Sequence, residues 1–108
     1  MIVKVSSRHM EVTDSLRAYA EQKAGKLIKY FNRIREIEVI YDAGKDRMSV
    51  EMVVNADRTR QFVASHEFSD AYACVDECVG KLERQLHEHK DMHRNRKHLA
   101  GDDKHARE

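Results

Sequence analysis

Proline is absent from the 108 residues and glycine occurs only four times. The chain therefore offers no interdomain linker and no low-complexity segment apart from its polar C-terminal end. Cysteine occurs twice, as Cys74 and Cys78, one helical turn apart inside an apolar stretch. That spacing is poor for a disulfide and wrong for a CxxC metal or redox pair, so both are read as small core residues. No apolar run approaches the roughly 20 residues of a membrane-spanning helix. Met1-Ile-Val-Lys4 shows no basic leader followed by an apolar run, which implies a cytoplasmic protein. An excess of charge is missing too: 20 Lys and Arg face 19 Asp and Glu, for a net +1. A nucleic-acid partner then requires the basic residues to be gathered on one face.

Catalytic signatures are equally scarce. There is no glycine-rich phosphate loop, no nucleophile elbow and no HExxH. Ser6-Ser-Arg-His9 sets a hydroxyl near an imidazole, but in the loop after a strand such residues are common. The acids sit singly on strands or in ion-paired helix positions, so the chain is not read as an enzyme. His89 and His93 stand at i and i+4 on a helix, yet no acid or cysteine at matching spacing completes a third ligand. Neither a metal nor a cofactor is expected. The histidines are read instead as weak cations that gain charge in mild acid.

What the chain does contain is dense charge, 36% of residues, around an ordinary 41% apolar content. One domain with one two-layer core is the capacity of this length. Met1 to Ser6 is a short β-rich run with Val3 and Val5 on one face. Thr13 is the N-cap of a first helix carrying Asp14 in its first turn and Leu16, Ala20, Ala24, Leu27 and Phe31 on one stripe, ending near Phe31 or Asn32. Ile37, Val39 and Tyr41 alternate with acids as a second strand. Gly44 to Arg47 is a turn, Met48 to Val54 alternate as a third strand, and Gln61 to Glu67 form a fourth after a turn at Ala56 to Thr59. Ser69 or Asp70 caps a second helix, whose stripe is Tyr72, Val75, Val79, Leu82 and Leu86 and which runs to about Arg94. The order β-α-β-β-β-α predicts an α+β fold, a four-stranded mixed sheet with two helices packed on one face. The first crossover makes strands one and two parallel, and hairpins make the rest antiparallel. Glu36, Glu38, Asp42 and Glu51 mark the uncovered face as solvated and acidic.

Charge is segregated on the first helix. At about 100° per residue, Tyr19, Gln22, Lys23, Lys26, Lys29, Tyr30 and Arg33 share one arc, while Asp14 and Glu21 fall on the other flank. A basic arc of this kind is often only a solvated face, and tyrosines at its edge more often pack than stack on bases. On the second helix Lys81, Arg84 and Gln85 share their side with Glu77 and Glu88. From Asp70 to Arg94 this helix would span roughly 37 Å, against about 23 Å for a seven-residue strand. Its last turns, with His87, His89, Lys90, His93 and Arg94, must overhang the sheet. Gly80 lies in the interior of that helix, at a cost of about 1 kcal/mol relative to Ala, softening it or admitting a close backbone approach.

Val5-Ser-Ser-Arg-His-Met-Glu-Val-Thr-Asp-Ser-Leu-Arg-Ala-Tyr19, Lys26-Leu-Ile-Lys-Tyr-Phe-Asn-Arg-Ile34, Ala64-Ser-His-Glu-Phe-Ser-Asp-Ala-Tyr72 and Lys81-Leu-Glu-Arg-Gln-Leu86 follow one another in a familiar order. Over residues 1–95 the chain resembles the ribosome hibernation promoting factor and ribosome-associated inhibitor A family, also called sigma-54 modulation proteins. The resemblance implies a cytoplasmic ribosome-binding domain over 1–95 and a charged, flexible tail over 96–108. It implies binding to 16S-type rRNA of the small ribosomal subunit in the decoding channel, in competition with mRNA and tRNA, keeping idle ribosomes dormant in stationary phase and stress. Carried over by motif, the RNA-contacting positions are Lys23, Lys26, Lys29, Arg33, Lys81, Arg84, Gln85 and Lys90. The mechanism it implies is steric, by a protein monomeric off the ribosome and without a membrane partner. A chain ending at Glu108 resembles the short members, without the C-terminal dimerisation domain of long ones, and its tail does not choose between promoting and blocking ribosome pairing. A competing reading is a protein-binding regulatory module of the sigma-factor modulation type, acting through the acidic sheet face.

Overall fold

In a computed structural model the described residues are 2–30, 33–57 and 60–99, with side chains described as far as Glu88. The elements follow as β1 (Ile2–Arg8), α1 (Asp14–Gly25), a 3-10 turn (Lys26–Lys29), β2 (Ile34–Ala43), β3 (Met48–Ala56), β4 (Gln61–Phe68) and α2 (Ala71–Leu99). The sheet order is β1-β2-β3-β4, with β1 parallel to β2 and the other pairs antiparallel. Both helices pack on one face, as the alternation of apolar residues requires.

The local signals act where they stand. Thr13 is extended and its Oγ1 accepts from the Leu16 backbone N–H at 3.1 Å, satisfying one of the donors a helix start leaves open. Asp70 opens α2: its Oδ1 accepts from the Tyr72 N–H at 3.0 Å and its carbonyl from the Cys74 N–H at 3.1 Å. The β2–β3 hairpin closes through the Gly44 N–H and the Arg47 carbonyl at 2.7 Å.

β1 extends to Arg8, so Ser6, Ser7 and Arg8 lie in the strand and not in a loop after it, and three further boundaries differ markedly from those the sequence predicts. The first helix is α-helical only to Gly25 and then tightens into the 3-10 turn, while Phe31 and Asn32 lie outside the described residues. The second helix continues to Leu99, through the first residues of the expected tail, and 100–108 lie outside the description. The third concerns β2. Ile34 is buried, and so are Ile37, Val39 and Tyr41, although even and odd positions of a regular strand point to opposite faces. A β-bulge reconciles them: Ile34 is opposite Ala56 and Glu36 is opposite Asn55, which leaves Arg35 as the extra residue.

The core is continuous between the layers. Leu16, Ala20, Ala24 and Leu27 from the first helical segment meet Ile37, Val39, Tyr41, Val50, Met52 and Val54 of the sheet, and Cys74, Val75, Cys78, Val79, Leu82 and Leu86 of α2. Tyr41 is fully buried, and its hydroxyl donates to the Leu16 carbonyl at 2.8 Å, tying α1 to the central sheet. Tyr72, expected on the buried stripe, is 38% exposed at the rim. The cysteines are free and buried, and each thiol faces a β3 carbonyl, Cys74 that of Met48 and Cys78 that of Val50. Gly80 is exposed and an added Cβ there would touch nothing within 4 Å, so no close approach explains it. No helix among the described residues is long and apolar enough to cross a membrane.

The polarity of the helices positions the candidate site. Lys81 of α2 reaches Ser65 and Gln85 reaches Val63, so α2 descends β4 from its end to its start. The first helical segment likewise runs back from the end of β1 to the start of β2. Both C-terminal halves therefore converge on the sheet end marked by Ile34, Ala56 and Gln61. Gln85 already lies two residues from the start of β4, and the remaining helix to Leu99 projects about 20 Å further at 1.5 Å per residue.

Candidate nucleic-acid interface

Lys26 and Lys29 occupy the 3-10 turn, where residues three apart eclipse one another. Both are exposed, and among the described residues neither ammonium group makes a hydrogen bond or ion pair. The tightening that takes Leu27 into the core thus stacks two ammonium groups over one strip of surface. Arg33, exposed at the threshold of β2, continues this basic edge, and Arg84 on α2 is likewise exposed and without a described partner.

Lys23 is differently placed. It is half-buried, with its ammonium 5.4 Å from the centroid of the Tyr19 ring. Tyr19 packs edge-on against Tyr72 with centroids 5.0 Å apart, and its hydroxyl donates to Asp76 Oδ1 at 2.6 Å. That hydrogen bond, with burial second, pushes the Tyr19 hydroxyl up to about 12. The arc that carries no acid on its own helix therefore has one beside it, supplied by α2. Tyr19 and Tyr30 both pack against the core, which is the packing role expected of tyrosines at such an edge.

Lys81 and Gln85 turn back onto the protein. β4 is an edge strand, and alternate backbone groups of an edge point away from the sheet without a ladder partner. Lys81 Nζ donates to the Ser65 carbonyl at 2.7 Å and Gln85 Nε2 to the Val63 carbonyl at 3.0 Å, so α2 closes the outer side of β4. Lys90 lies on α2 beyond the described side chains, as do His89 and His93. Glu77 and Glu88 are exposed on the same helix.

The uncovered sheet face is less acidic than its carboxylates suggest. Glu36 pairs with Lys4 at 3.6 Å, and Asp42 with Arg8 at 3.9 Å and His9 Nδ1 at 3.0 Å. His9, which makes that contact, has a left-handed backbone, φ 60°. Among the described residues no group of three or more His, Cys, Asp and Glu side chains could hold a metal ion. Burial pushes the Cys78 thiol up to about 12, and Cys74 is raised as well, also mainly by burial, which makes both poor nucleophiles near neutrality.

The family model described as Sigma 54 modulation protein / S30EA ribosomal protein matches residues 3–94. A protein of Azotobacter vinelandii named ribosome hibernation promoting factor is 36% identical over 91 residues, 84% of this chain and 84% of its own. The protein of the same name in Escherichia coli K12 is 32% identical over 91 residues, covering 84% of this chain and 95% of its own. Among solved structures, a ribosomal subunit interface protein from Coxiella burnetii superposes with a TM-score of 0.78 at 25% identity, over 84% of this chain and 99% of its own. The N-terminal domain of Thermus thermophilus Protein Y gives 0.74 at 26% identity, over 82% and 99%.

Proposed function

The chain belongs to the Sigma 54 modulation protein / S30EA ribosomal protein family, and we propose that it is a ribosome-associated hibernation factor that inhibits translation by occupying the decoding channel of the small subunit. Its partner is 16S-type rRNA, its competitors are mRNA and tRNA, and its place is the cytoplasm, where idle ribosomes are held in stationary phase and stress. The inhibition is steric and no bond is made or broken: hibernation factors of this family bind ribosomes and are not enzymes. Residues 1–95 form the binding domain and 96–108 the tail, and the protein is a monomer away from the ribosome.

The observation that carries this reading is the pair Lys26 and Lys29, eclipsed, exposed and free of described partners at the end where both helices finish. Cations already committed to carboxylates add little attraction for phosphate, whereas free ones release the counterions of RNA and so gain affinity. Arg33 and Arg84 extend the same end, Lys23 flanks it and Lys90 lies further along α2, while Lys81 and Gln85 are held by carbonyls of the β4 edge and add less. The overhanging turns of α2 have no sheet beneath them and suit a narrow nucleic-acid channel better than isolation in water.

The test is sedimentation with ribosomes through sucrose gradients at two salt concentrations, with and without mRNA and tRNA. Co-sedimentation with small subunits that weakens with salt and is displaced by tRNA is the expected result. Binding that tRNA leaves untouched places the protein elsewhere on the ribosome and refutes the channel. The same gradients report whether monosomes shift to dimers.

A further inference from the structure

Beyond the helices, the sheet end carries a second pair of arginines. Arg35 and Arg60 line one concavity of about 500 Å³ with Ile2, Glu36, Asn55 and Gln61. Both arginines are exposed, and neither guanidinium has a hydrogen bond or ion pair among the described residues. The carboxylate on this concavity, Glu36, is engaged by Lys4 at 3.6 Å. Gln61 Nε2 donates to Asn55 Oδ1 at 2.8 Å, an arrangement that leaves the Asn55 NH2 group available as a donor.

The position of Arg35 follows from a backbone irregularity. As the extra residue of the β2 bulge between Ile34 and Glu36, it is unpaired in a strand otherwise regular from Glu36 to Ala43. Bulges re-aim side chains, and this one sets Arg35 beside Arg60 across the end of β3 while Ile34 stays in the core. Two guanidinium forks flanking an amide donor match a phosphodiester, whose oxygens accept paired N–H groups. Arg33, exposed and two residues before Arg35, lies in sequence between the 3-10 turn and this concavity.

We infer that Arg35 and Arg60 form a second RNA-phosphate site, which carries the nucleic-acid surface from the helix ends around the sheet end onto its uncovered face. The inference rests on the proposed binding to ribosomal RNA. It adds a contact outside the helices, so the bound RNA meets two sides of this end of the molecule and not one face alone.

Wild type, Arg35→Gln/Arg60→Gln and Lys26→Gln/Lys29→Gln are titrated against purified small subunits over a range of salt, with thermal melting to confirm that each variant is folded. Each phosphate contact contributes about 0.7–0.9 to the slope of log K against log salt, so losing two weakens binding roughly 15- to 30-fold near 150 mM salt and flattens the slope by about 1.4–1.8. That loss is expected for Arg35→Gln/Arg60→Gln, with an Arg35→Lys/Arg60→Lys variant keeping the slope. Binding of Arg35→Gln/Arg60→Gln within twofold of wild type and with an unchanged slope, alongside a loss in Lys26→Gln/Lys29→Gln, overturns the second site and leaves the helix surface standing. Failure of the wild-type protein to bind small subunits overturns both.

Discussion

Replacing Lys26 and Lys29 together by glutamine isolates the electrostatic part of the interface. Both side chains are exposed and without described partners, so their removal should change folding stability by no more than about 0.5 kcal/mol, the ordinary scale for such surface positions. Affinity is another matter. If both ammonium groups sit on phosphates, the double variant releases two fewer counterions, and the slope of log K against log salt falls by about 1.4–1.8. At roughly 150 mM salt this is a 15- to 30-fold loss, and near 50 mM it is larger in proportion to the logarithm. Fluorescence titration of labelled protein with small subunits at four or five salt concentrations measures both numbers. An affinity loss with an unchanged slope points to a shape or packing effect, and an unchanged affinity means the eclipsed lysines are only solvated surface. Either outcome refutes the reasoning from free charge.

Four further outcomes follow from the fold. Gly80→Ala should stabilise α2 by about 0.5–1 kcal/mol, or roughly 3–6 °C in thermal melting, because an added methyl group meets open space. Neither Cys74 nor Cys78 should react with a disulfide reagent in the native protein at neutral pH, and both should react in guanidinium, since burial keeps the thiols protonated. Tyr41→Phe should cost about 0.5–1.5 kcal/mol in denaturant unfolding through loss of the bond to Leu16. The same tyrosine predicts a basic limit: burial pushes its ionisation from 10.0 to about 12, so the folded state favours the neutral phenol. That contribution is complete below pH 10 and is lost as pH rises towards 12, which unfolding curves across this window can follow.

Much of the fold was legible because its signals are local. Thr13 and Asp70 cap the helices whose starts they mark, and the alternation through Ile37, Val39 and Tyr41 and through Val50, Met52 and Val54 defines one buried sheet face. The β2 start was hidden because Ile34 breaks the parity of its own strand, and only pairing with β3 creates the bulge that turns it inward. The 3-10 turn was hidden because a helical wheel assumes 100° per residue throughout. It nevertheless placed Lys26 and Lys29 on one strip, since both geometries bring residues three apart together. Periodicity identifies which side of its own axis a residue takes and is silent about what the neighbouring element offers there. Hence Asp76 beside the basic arc, and the β4 carbonyls beside Lys81 and Gln85, belong to the tertiary structure alone.

Those two contacts separate residues that the sequence grouped together. Lys81 can reach a phosphate only by leaving the Ser65 carbonyl, so part of what it gains from RNA replaces a bond it already has. A hydrogen bond to a charged donor contributes about 1.5–3 kcal/mol when secluded and less at an exposed site, while one phosphate contact near 150 mM salt contributes about 0.8–1 kcal/mol. The exchange therefore brings little, and Lys81→Gln should lower affinity for small subunits far less than Lys26→Gln. Its cost should appear instead at the β4 edge. Lys81→Ala/Gln85→Ala uncovers two outward carbonyls, and light scattering should then show mass rising with protein concentration as the open strand pairs with a second copy. A double variant that stays monomeric yet loses ribosome binding as fully as Lys26→Gln/Lys29→Gln would return Lys81 and Gln85 to the RNA surface and deny them the edge.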